Sequence, residues 1–260
     1  NYSSGSKNNH INDKRVLYYF QQTQDIKKNL NSIRKKIHTI FHFGEFSRIY
    51  QSFKNLNKCI QSNVIGSNAV FNFCLENKIK LIYSATSASL GNKGKDSNLS
   101  PYAFTKSKNL EMLENLKKWF NFNFEIIYFY NVYGPNQIKD GDMATVIGIF
   151  EKKIKEKSKL TVVKPGTQSR KFTHVDDTIK VCYEAWKKNK CVHYSISNKK
   201  KYSIIDVAKM FKGKIKYLPP RVGERYASAL TNLYMSNKVQ KRFGKISLKN
   251  YINNFLRENS

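Results

Sequence analysis

A tyrosine and a lysine four positions apart are the side chains of this chain best suited to acid–base chemistry. Tyr102 and Lys106 belong to the run Tyr-Ala-Phe-Thr-Lys, and residues at this spacing share one face of a helix. An ammonium close to a phenol favours the ionised form of the phenol and lowers its pKa. The pair could therefore take a proton from an alcohol near neutral pH and later return it.

A run of small hydroxyl residues precedes this pair. The run Tyr-Ser-Ala-Thr-Ser-Ala-Ser directly follows an apolar segment, which places it at the carboxyl end of a predicted strand. Thr86 is the member that we expect to hold the same substrate oxygen as Tyr102, and Ser84 and Ser87 are alternatives. With Lys106, these groups predict the oxidation of an alcohol, in which a nicotinamide takes the hydride.

Strands and helices that alternate along the chain must position these side chains. Continuous apolar runs at 79–83 and 124–130 are typical of buried strands, and amphipathic segments at 53–75 and 102–120 are typical of helices. This alternation predicts an α/β fold with a parallel sheet that is covered on both faces. Further strands are predicted at 16–20, 37–43, 160–163, 192–196 and 215–218, and further helices at 143–155, 175–187, 204–211 and 248–256.

Length and composition exclude several classes of protein. At 260 residues the chain can bury a full core, and no apolar run approaches the roughly 18 residues of a membrane helix. The four cysteines and five histidines lack metal-ligand spacing, so we expect buried thiols and no metal site. We expect a cytoplasmic protein that does not enter a membrane.

The chain is strongly basic, with 47 lysines and arginines against 18 acidic residues and a net charge of +29. The excess is almost entirely lysine and is spread along the whole chain. It forms no basic helix with interleaved aromatics, no zinc knuckle and no RNP-like run. We therefore expect no specific nucleic-acid partner, and the charge favours an anionic small molecule instead.

Short motifs in a fixed order cover nearly the whole chain. They lie at 1–5, 24–26, 41–45, 63–66, 131–135, 169–177 and 221–224. With the catalytic residues Thr86, Tyr102 and Lys106 between them, they resemble the extended short-chain dehydrogenase/reductase family. Within that family the chain is similar to the NAD-dependent nucleotide-sugar epimerases and dehydratases, of the UDP-glucose 4-epimerase type. The resemblance implies a Rossmann-type parallel sheet with a small C-terminal α/β lobe that binds the substrate.

The same resemblance implies how the chain is divided. Residues 1–135 would form the NAD-binding domain, and residues 136–260 mainly the substrate-binding lobe, with some segments returning to the sheet. The sequence contains no glycine-rich phosphate turn of the kind that opens such folds, and its first motif resembles the loop after the second strand. We therefore expect that about one β-α-β unit is missing before Asn1 and that the chain as written binds dinucleotide poorly.

NAD is the cofactor that the resemblance implies. Lys106 would donate a hydrogen bond to the nicotinamide ribose and keep Tyr102 ionisable. The small Gly44 would let the cofactor approach the backbone. The positions that match the family's cofactor-binding residues are Asn1, Ser3, Asp25, Ile26, Phe43, Gly44, Glu45, Asn63, Tyr102, Lys106 and Tyr130.

A nucleotide-diphosphate sugar is the implied substrate. Arg170 and Arg221 match the family's pyrophosphate-binding arginines, whose forked guanidinium suits bidentate phosphate contacts. Asn131 matches a position that contacts the phosphates, and Glu224 matches one that holds the nucleoside ribose. The implied substrate-binding positions are Thr86, Asn131, Thr161, Arg170, Arg221 and Glu224.

Residues that other reactions of the family need are missing. Dehydratases place Asp-Glu directly after the catalytic threonine, where this chain has Ser87 and Ala88. Epimerase-reductases of the family place a histidine where this chain has Asn136. The resemblance therefore implies epimerisation at C4 of the sugar, through a transient 4-keto intermediate.

Two alternatives stay open. The segment after Asn131 also resembles heptose-6-epimerases, which place a catalytic lysine in the loop where this chain has Lys139 and Asp140; another oxidoreductase of nucleotide sugars belongs to the same alternative. The second alternative is a relative that binds ligands without cofactor or catalysis. In the family two long helices, here 53–75 and 102–120, commonly pair two subunits, so we expect a homodimer.

Overall fold

The computed structural model describes residues 2–87, 97–221 and 239–259. Its α-helices are α1 (Ile26–Leu30), α2 (Ile49–Lys54), α3 (Leu56–Ile60), α4 (Ser67–Glu76), α5 (Pro101–Phe120), α6 (Val146–Lys155), α7 (Val175–Lys187), α8 (Ile204–Met210) and α9 (Leu248–Glu258). Its strands are β1 (Thr39–His42), β2 (Lys80–Thr86), β3 (Phe124–Phe129), β4 (Val132–Tyr133), β5 (Leu160–Val163), β6 (Ser169–Lys171), β7 (Thr173–His174), β8 (His193–Ser197), β9 (Lys201–Ser203), β10 (Ile215–Leu218) and β11 (Val239–Phe243).

Within the described ranges, five parallel strands form the central sheet in the order β1-β2-β3-β8-β11. The inner strand β2, which lies between β1 and β3, is buried at every residue, as expected for a parallel strand covered on both faces. Because the strands are parallel, their carboxyl ends lie at one edge, and the end of β2 places Ser84 and Thr86 there. The α/β fold with a parallel sheet is therefore confirmed.

Helices cover both faces of this sheet. On one face α4 and α5 pack against the strands through a cluster that includes Phe71, Leu113 and Tyr83. On the other face α7 packs through a cluster that includes Val181 and Ile127. Fully burying an apolar side chain of this size stabilises the fold by about 1.5–3 kcal/mol. These layers hold the carboxyl edge of the sheet in place.

A smaller α/β lobe lies beside the sheet. In it β5 pairs in parallel with β10, and β6 pairs antiparallel with β9. Helices α6, α8 and α9 supply much of its core, in which Phe150, Leu160, Phe211 and Ile252 pack together. The small lobe predicted from the resemblance is confirmed, while β8 and β11 belong to the central sheet.

The strand predicted at 16–20 was wrong. In the described part of the chain these residues form no strand, and Leu17 and Phe20 are exposed. Ring contacts hold the segment instead: the Phe20 ring lies 4.5 Å from that of Tyr2, and Tyr18 stacks on His10 at 3.6 Å. An apolar run becomes a strand only where a neighbouring strand completes its backbone hydrogen bonds.

The helix predicted at 53–75 is interrupted in two places. Asn55 separates α2 from α3 with φ −123° and ψ 49°, and Gln61–Gly66 forms a π-helical turn. The backbone of Gly66 approaches Thr23 so closely that a Cβ there would lie 2.3 Å from the threonine Oγ1. Any larger residue at this position would therefore require Thr23 to move, and apolar periodicity alone could not show the contact.

The described residues contain no helix that is long and apolar enough to cross a membrane. Within the same ranges no group of three or more histidine, cysteine or acidic side chains is placed to hold a metal ion. The cysteines are free thiols. Burial raises the pKa of Cys74 to about 12 and that of Cys182 to about 11, so both stay protonated near neutral pH.

Lys80 holds the end of α7 and offers a test of the fold. Its buried ammonium donates to the carbonyls of Ala185 and Trp186 at 2.8 and 2.9 Å, and to that of Lys188. Because Lys80→Met leaves these carbonyls without a donor, it should lower the free energy of unfolding by about 2–4 kcal/mol. Urea denaturation measures the loss. Lys118→Met, on the exposed surface of α5, is the control, and equal losses in both variants would contradict this role.

Candidate active site

A cleft of about 580 Å³ lies between the carboxyl edge of the central sheet and the small lobe. The sheet and α5 line one wall, and β5 and β6 line the other. The structure thus brings most of the predicted catalytic and substrate-contacting side chains to one cavity. The predicted residues that line it are Phe43, Glu45, Thr86, Tyr102, Lys106, Tyr130, Asn131, Thr161, Arg170 and Arg221, with the alternatives Ser84 and Ser87.

The start of α5 fixes the tyrosine and lysine. The Ser100 hydroxyl caps the helix and Pro101 occupies its first turn, both of which are preferred at a helix start. The backbone N–H of Tyr102 donates to the Ser52 hydroxyl at 3.3 Å. Tyr102 is 9% exposed and Lys106 is 3% exposed. Both side chains line the cleft, so the helix presents them on one buried face.

Lys106 is a buried, paired ammonium. Its Nζ donates to the Glu45 carboxylate and to the backbone carbonyl of Ser84, and it lies 4.2 Å from the centre of the Tyr83 ring. Burial lowers the pKa of Lys106, whereas the charge of Glu45 and its hydrogen bond act in the opposite direction. The protonation state of Lys106 therefore depends on the Glu45 carboxylate beside it.

Glu45 follows β1 and is the acceptor of a buried network. Its Oε1 accepts from Ser67 Oγ at 2.7 Å, Tyr83 Oη at 3.0 Å and Asn109 Nδ2 at 3.1 Å. Burial and then the nearby carboxylate raise the pKa of Tyr83 well above its usual value, so this phenol stays a donor. The position was predicted only as a cofactor contact, and its pairing with Lys106 is a finding of the structure.

The hydroxyl residues at the end of β2 have different surroundings. Ser84 Oγ donates to the His42 carbonyl at 3.3 Å, so its hydroxyl is used within the sheet. Thr86 is the last residue of β2 and lines the cleft, as Ser87 does. This geometry favours Thr86 over Ser84 as the partner of the phenol for a substrate oxygen.

Several predicted cofactor contacts lie away from the cleft. Asn63 is buried, and its side chain bonds the backbone N–H and carbonyl of Phe46 at 2.7 and 3.1 Å and the Thr105 hydroxyl at 3.1 Å. It therefore ties the loop after β1 to α5. The other predicted residues that do not line the cleft are Ser3, Asp25, Ile26 and Gly44. Asn1 and Glu224 lie outside the described residues.

Two predicted arginines bring positive charge to the cleft. Arg170, on β6, and Arg221 both line it, and the Arg221 guanidinium lies 5.3 Å from the centre of the Tyr50 ring. Thr161, on β5, lines the same cleft. Asn131 adopts φ 39°, and its amide donates at 2.8 Å to a backbone carbonyl of β6. These groups can bind a phosphorylated ligand through charge-assisted hydrogen bonds.

Arg48 also lines the cleft and was not predicted. Burial lowers the pKa of its guanidinium, and an interaction with Tyr102 acts in the opposite direction, which places a second cation near the phenol. One of its N–H groups donates to the Met143 carbonyl at 2.5 Å. A sequence signal existed, because arginine is scarce beside lysine in this chain.

One family model matches most of the chain. It describes the NAD dependent epimerase/dehydratase family and covers residues 2–198. This match includes the end of β2, the start of α5 and the arginine of β6.

Curated relatives are similar over part of their own length. An uncharacterised UDP-glucose epimerase of Bacillus subtilis, YtcB, is 29% identical over 161 residues, which are 58% of this chain and 50% of that protein. An ADP-L-glycero-D-manno-heptose-6-epimerase of Brachyspira hyodysenteriae is 25% identical over 195 residues, 70% of this chain and 60% of that protein. The chain thus spans about half to three fifths of the length of these relatives.

The fold also matches a solved structure. The UDP-glucose 4-epimerase of Thermotoga maritima, solved with UDP-glucose, superimposes with a TM-score of 0.85 at 21% sequence identity. The match covers 99% of this chain and 89% of that one. At this identity the comparison shows a shared fold.

Proposed function

The chain belongs to the NAD dependent epimerase/dehydratase family, and we propose that it epimerises a nucleotide-diphosphate sugar at C4 with NAD as cofactor. The supporting observation is the buried pair Tyr102 and Lys106 on one face of α5, with Thr86 at the end of β2 lining the same cleft. A phenol, an ammonium and a hydroxyl at one edge of a parallel sheet suit the removal of a proton from a secondary alcohol.

The residues present fit the nicotinamide end of NAD. Lys106 and Tyr102 offer a cation and a phenol to the ribose and the reacting carbon, and Phe43 and Tyr130 add aromatic walls to the cleft. Bound NAD would supply the acceptance and return of a hydride at C4 of the sugar. In this proposal Lys106, Tyr102, Phe43 and Tyr130 hold that end of the cofactor.

Tyr102 carries the proton in this proposal. Its phenolate takes the proton of the 4-hydroxyl as the C4 alcohol is oxidised to a ketone, and Thr86 holds the oxygen that becomes the carbonyl. After the keto sugar has rotated so that its other face is exposed to reduction, Tyr102 gives the same proton back to the oxygen while C4 is reduced on that face. The atoms balance without another acid or base.

The side chains around the cleft disfavour the other reactions of the family. Elimination of water needs an acidic side chain after the catalytic threonine, where Ser87 lines the cleft. Lys139, the neighbour of the base position of heptose-6-epimerases, bonds Glu151 at 3.1 Å, and Asp140 pairs with Lys152. Neither residue is among the described residues that line the cleft, so the base position of heptose-6-epimerases is not directed at a substrate there.

A homodimer and a cytoplasmic location stay predictions. The helices expected to pair carry exposed apolar side chains: Phe53 and Leu56 are 41% and 49% exposed, and Phe104 and Met112 on α5 are 45% and 43% exposed. Exposed apolar area of this kind supports a partner on this face. Light scattering after size exclusion measures the oligomeric state.

Arg221 should contribute to substrate binding and little to the chemical step. Arg221→Ala removes one of the two guanidinium groups that we propose to bind the phosphates, so we expect KM to rise by about 10–100-fold while kcat changes by less than about threefold. Steady-state kinetics separate the two constants. Arg15→Ala, with a side chain that is 82% exposed, is the control. A loss confined to kcat would assign Arg221 a different role.

Conversion of a sugar nucleotide tests the proposed function. The protein expressed from its complete reading frame is mixed with NAD and, separately, with UDP-glucose, UDP-N-acetylglucosamine, UDP-glucuronate, dTDP-glucose and an ADP-heptose. Proton NMR should show one of the hexose nucleotides converting to its C4 epimer. Inversion at C6 of the heptose alone would select the alternative, and no conversion of any substrate would reject the enzymatic proposal.

A further inference from the structure

The ion pair between Glu45 and Lys106 lies deep in the protein. The two side chains are 3% and 4% exposed, and they come from the loop after β1 and from α5. A buried ammonium without a counter-ion is strongly disfavoured and tends to lose its proton. A buried pair that loses one partner leaves the other charge without compensation.

The network around Glu45 fixes the carboxylate in one place. Ser67 on α4, Tyr83 on β2 and Asn109 on α5 all donate to one of its oxygens, and Lys106 donates to the other. Lys106 and Asn109 are three positions apart on α5, so the carboxylate holds the same helix at two points. This double contact holds the helix that also carries Tyr102, which lines the cleft.

The titratable groups around Lys106 include the Glu45 carboxylate, the Tyr83 phenol and the His42 imidazole, and they show why Glu45 matters for the charge of Lys106. Tyr83 presents its ring at 4.2 Å, and its pKa is raised, so it is neutral. His42, at the end of β1, is also buried and has a lowered pKa, chiefly because of burial. Among the described residues, Glu45 is the acidic group that forms a salt bridge with Lys106.

We propose that Glu45 is a positioning residue that keeps Lys106 protonated and fixed beside Tyr102, so that the phenol always has a cation next to it. This inference rests on the proposed function for its catalytic meaning, although the pairing itself does not depend on it. Glu45 acts through Lys106 and does not touch the reacting atoms.

Loss of the Glu45 charge should lower the pKa of Lys106. The Glu45 charge raises the pKa of Lys106 against the lowering caused by burial. Glu45→Gln removes that support, so Lys106 should lose its proton at a lower pH and Tyr102 should lose its neighbouring cation there. The activity of the variant should therefore fall on the alkaline side at a lower pH than that of the parent. Arg48, the other cation near Tyr102, is unchanged by the substitution.

Direct titration of Lys106 tests the proposal without substrate or cofactor. NMR of isotopically labelled lysine, with the signal assigned from Lys106→Arg, gives the midpoint in the parent protein and in Glu45→Gln. We expect the midpoint to fall by about one to three pH units. Glu45→Asp keeps the charge on a shorter side chain, so it should restore at least half of the shift but not all of it. Glu76→Gln, which breaks the exposed pair with Lys27, is the control and should leave the midpoint unchanged.

Each outcome separates the two proposals. A Lys106 midpoint that is equal in the parent and in folded Glu45→Gln would overturn the role of Glu45. If Glu45→Gln does not fold, the midpoint of Glu45→Asp decides: it should lie below that of the parent because the shorter side chain weakens the contact, and an unchanged midpoint would overturn the role. If the midpoint shifts but no sugar nucleotide is converted by the parent, the proposed function fails and the pairing stands.

Discussion

Tyr102→Phe should lower kcat by about 10³-fold or more while substrate affinity changes by less than about threefold. The substitution removes one oxygen from a residue that is already buried at 9% exposure, so the helix and the cleft keep their shape. What is lost is the group that takes the proton of the 4-hydroxyl and gives it back. The remaining groups near C4 include Thr86, whose hydroxyl is far too weak a base to replace a phenolate at neutral pH.

Two measurements complete this prediction. Rapid-quench or NMR kinetics give kcat, and calorimetric titration with the nucleotide sugar gives the affinity. Tyr183→Phe, at a tyrosine that is 54% exposed on α7, is the matched control and should leave both constants unchanged. A kcat for Tyr102→Phe that equals that of the control would exclude Tyr102 as the proton carrier.

Lys106→Met should reduce kcat by about 10²–10⁴-fold at neutral pH. Without the ammonium, Tyr102 keeps one nearby cation, Arg48, and its phenol should ionise closer to the usual pKa of about 10. The residual rate should therefore rise as the pH is raised above neutrality, whereas the parent enzyme should already be near its plateau. This difference in pH dependence separates a change in proton chemistry from a general loss of structure.

The control for the lysine variant is close by on the same helix. Lys108→Met removes an ammonium whose side chain is 56% exposed, and its kinetics should match those of the parent. Because Lys106→Met leaves the Glu45 carboxylate buried without its partner, thermal denaturation must confirm that the protein is folded at the assay temperature. A pH–rate profile parallel to that of the parent would contradict the role given to Lys106.

Local patterns predicted the parts of the site that lie close together in sequence. The spacing of Tyr102 and Lys106 follows from the helical repeat, and the structure has a Ser100 cap at the helix start before them, where serine is a preferred residue type. Thr86 ends a strand whose apolar run is continuous because both faces are covered. Such features depend on neighbouring residues, so the sequence alone contains them.

Contacts between distant segments were not predictable in the same way. Glu45 meets Lys106 across 61 positions of the chain, and Arg48 meets the Met143 carbonyl across 95; only the folded sheet brings these segments together. The π-helical turn at Gln61–Gly66 likewise arises from packing between elements. Apolar periodicity describes which face of a helix is buried, and it carries no information about a partner from another segment.

Deuterium at C4 of the sugar nucleotide tests most directly whether C4 is oxidised and then reduced within one site. The protein from the complete reading frame is incubated with NAD and a nucleotide hexose deuterated at C4, and the epimer is examined by NMR in ordinary water. If the same hydride leaves and returns, the epimer should keep its deuterium at C4, and substrate without label in heavy water should gain none there. An epimer whose C4 deuterium has been replaced by hydrogen from the solvent would contradict the account.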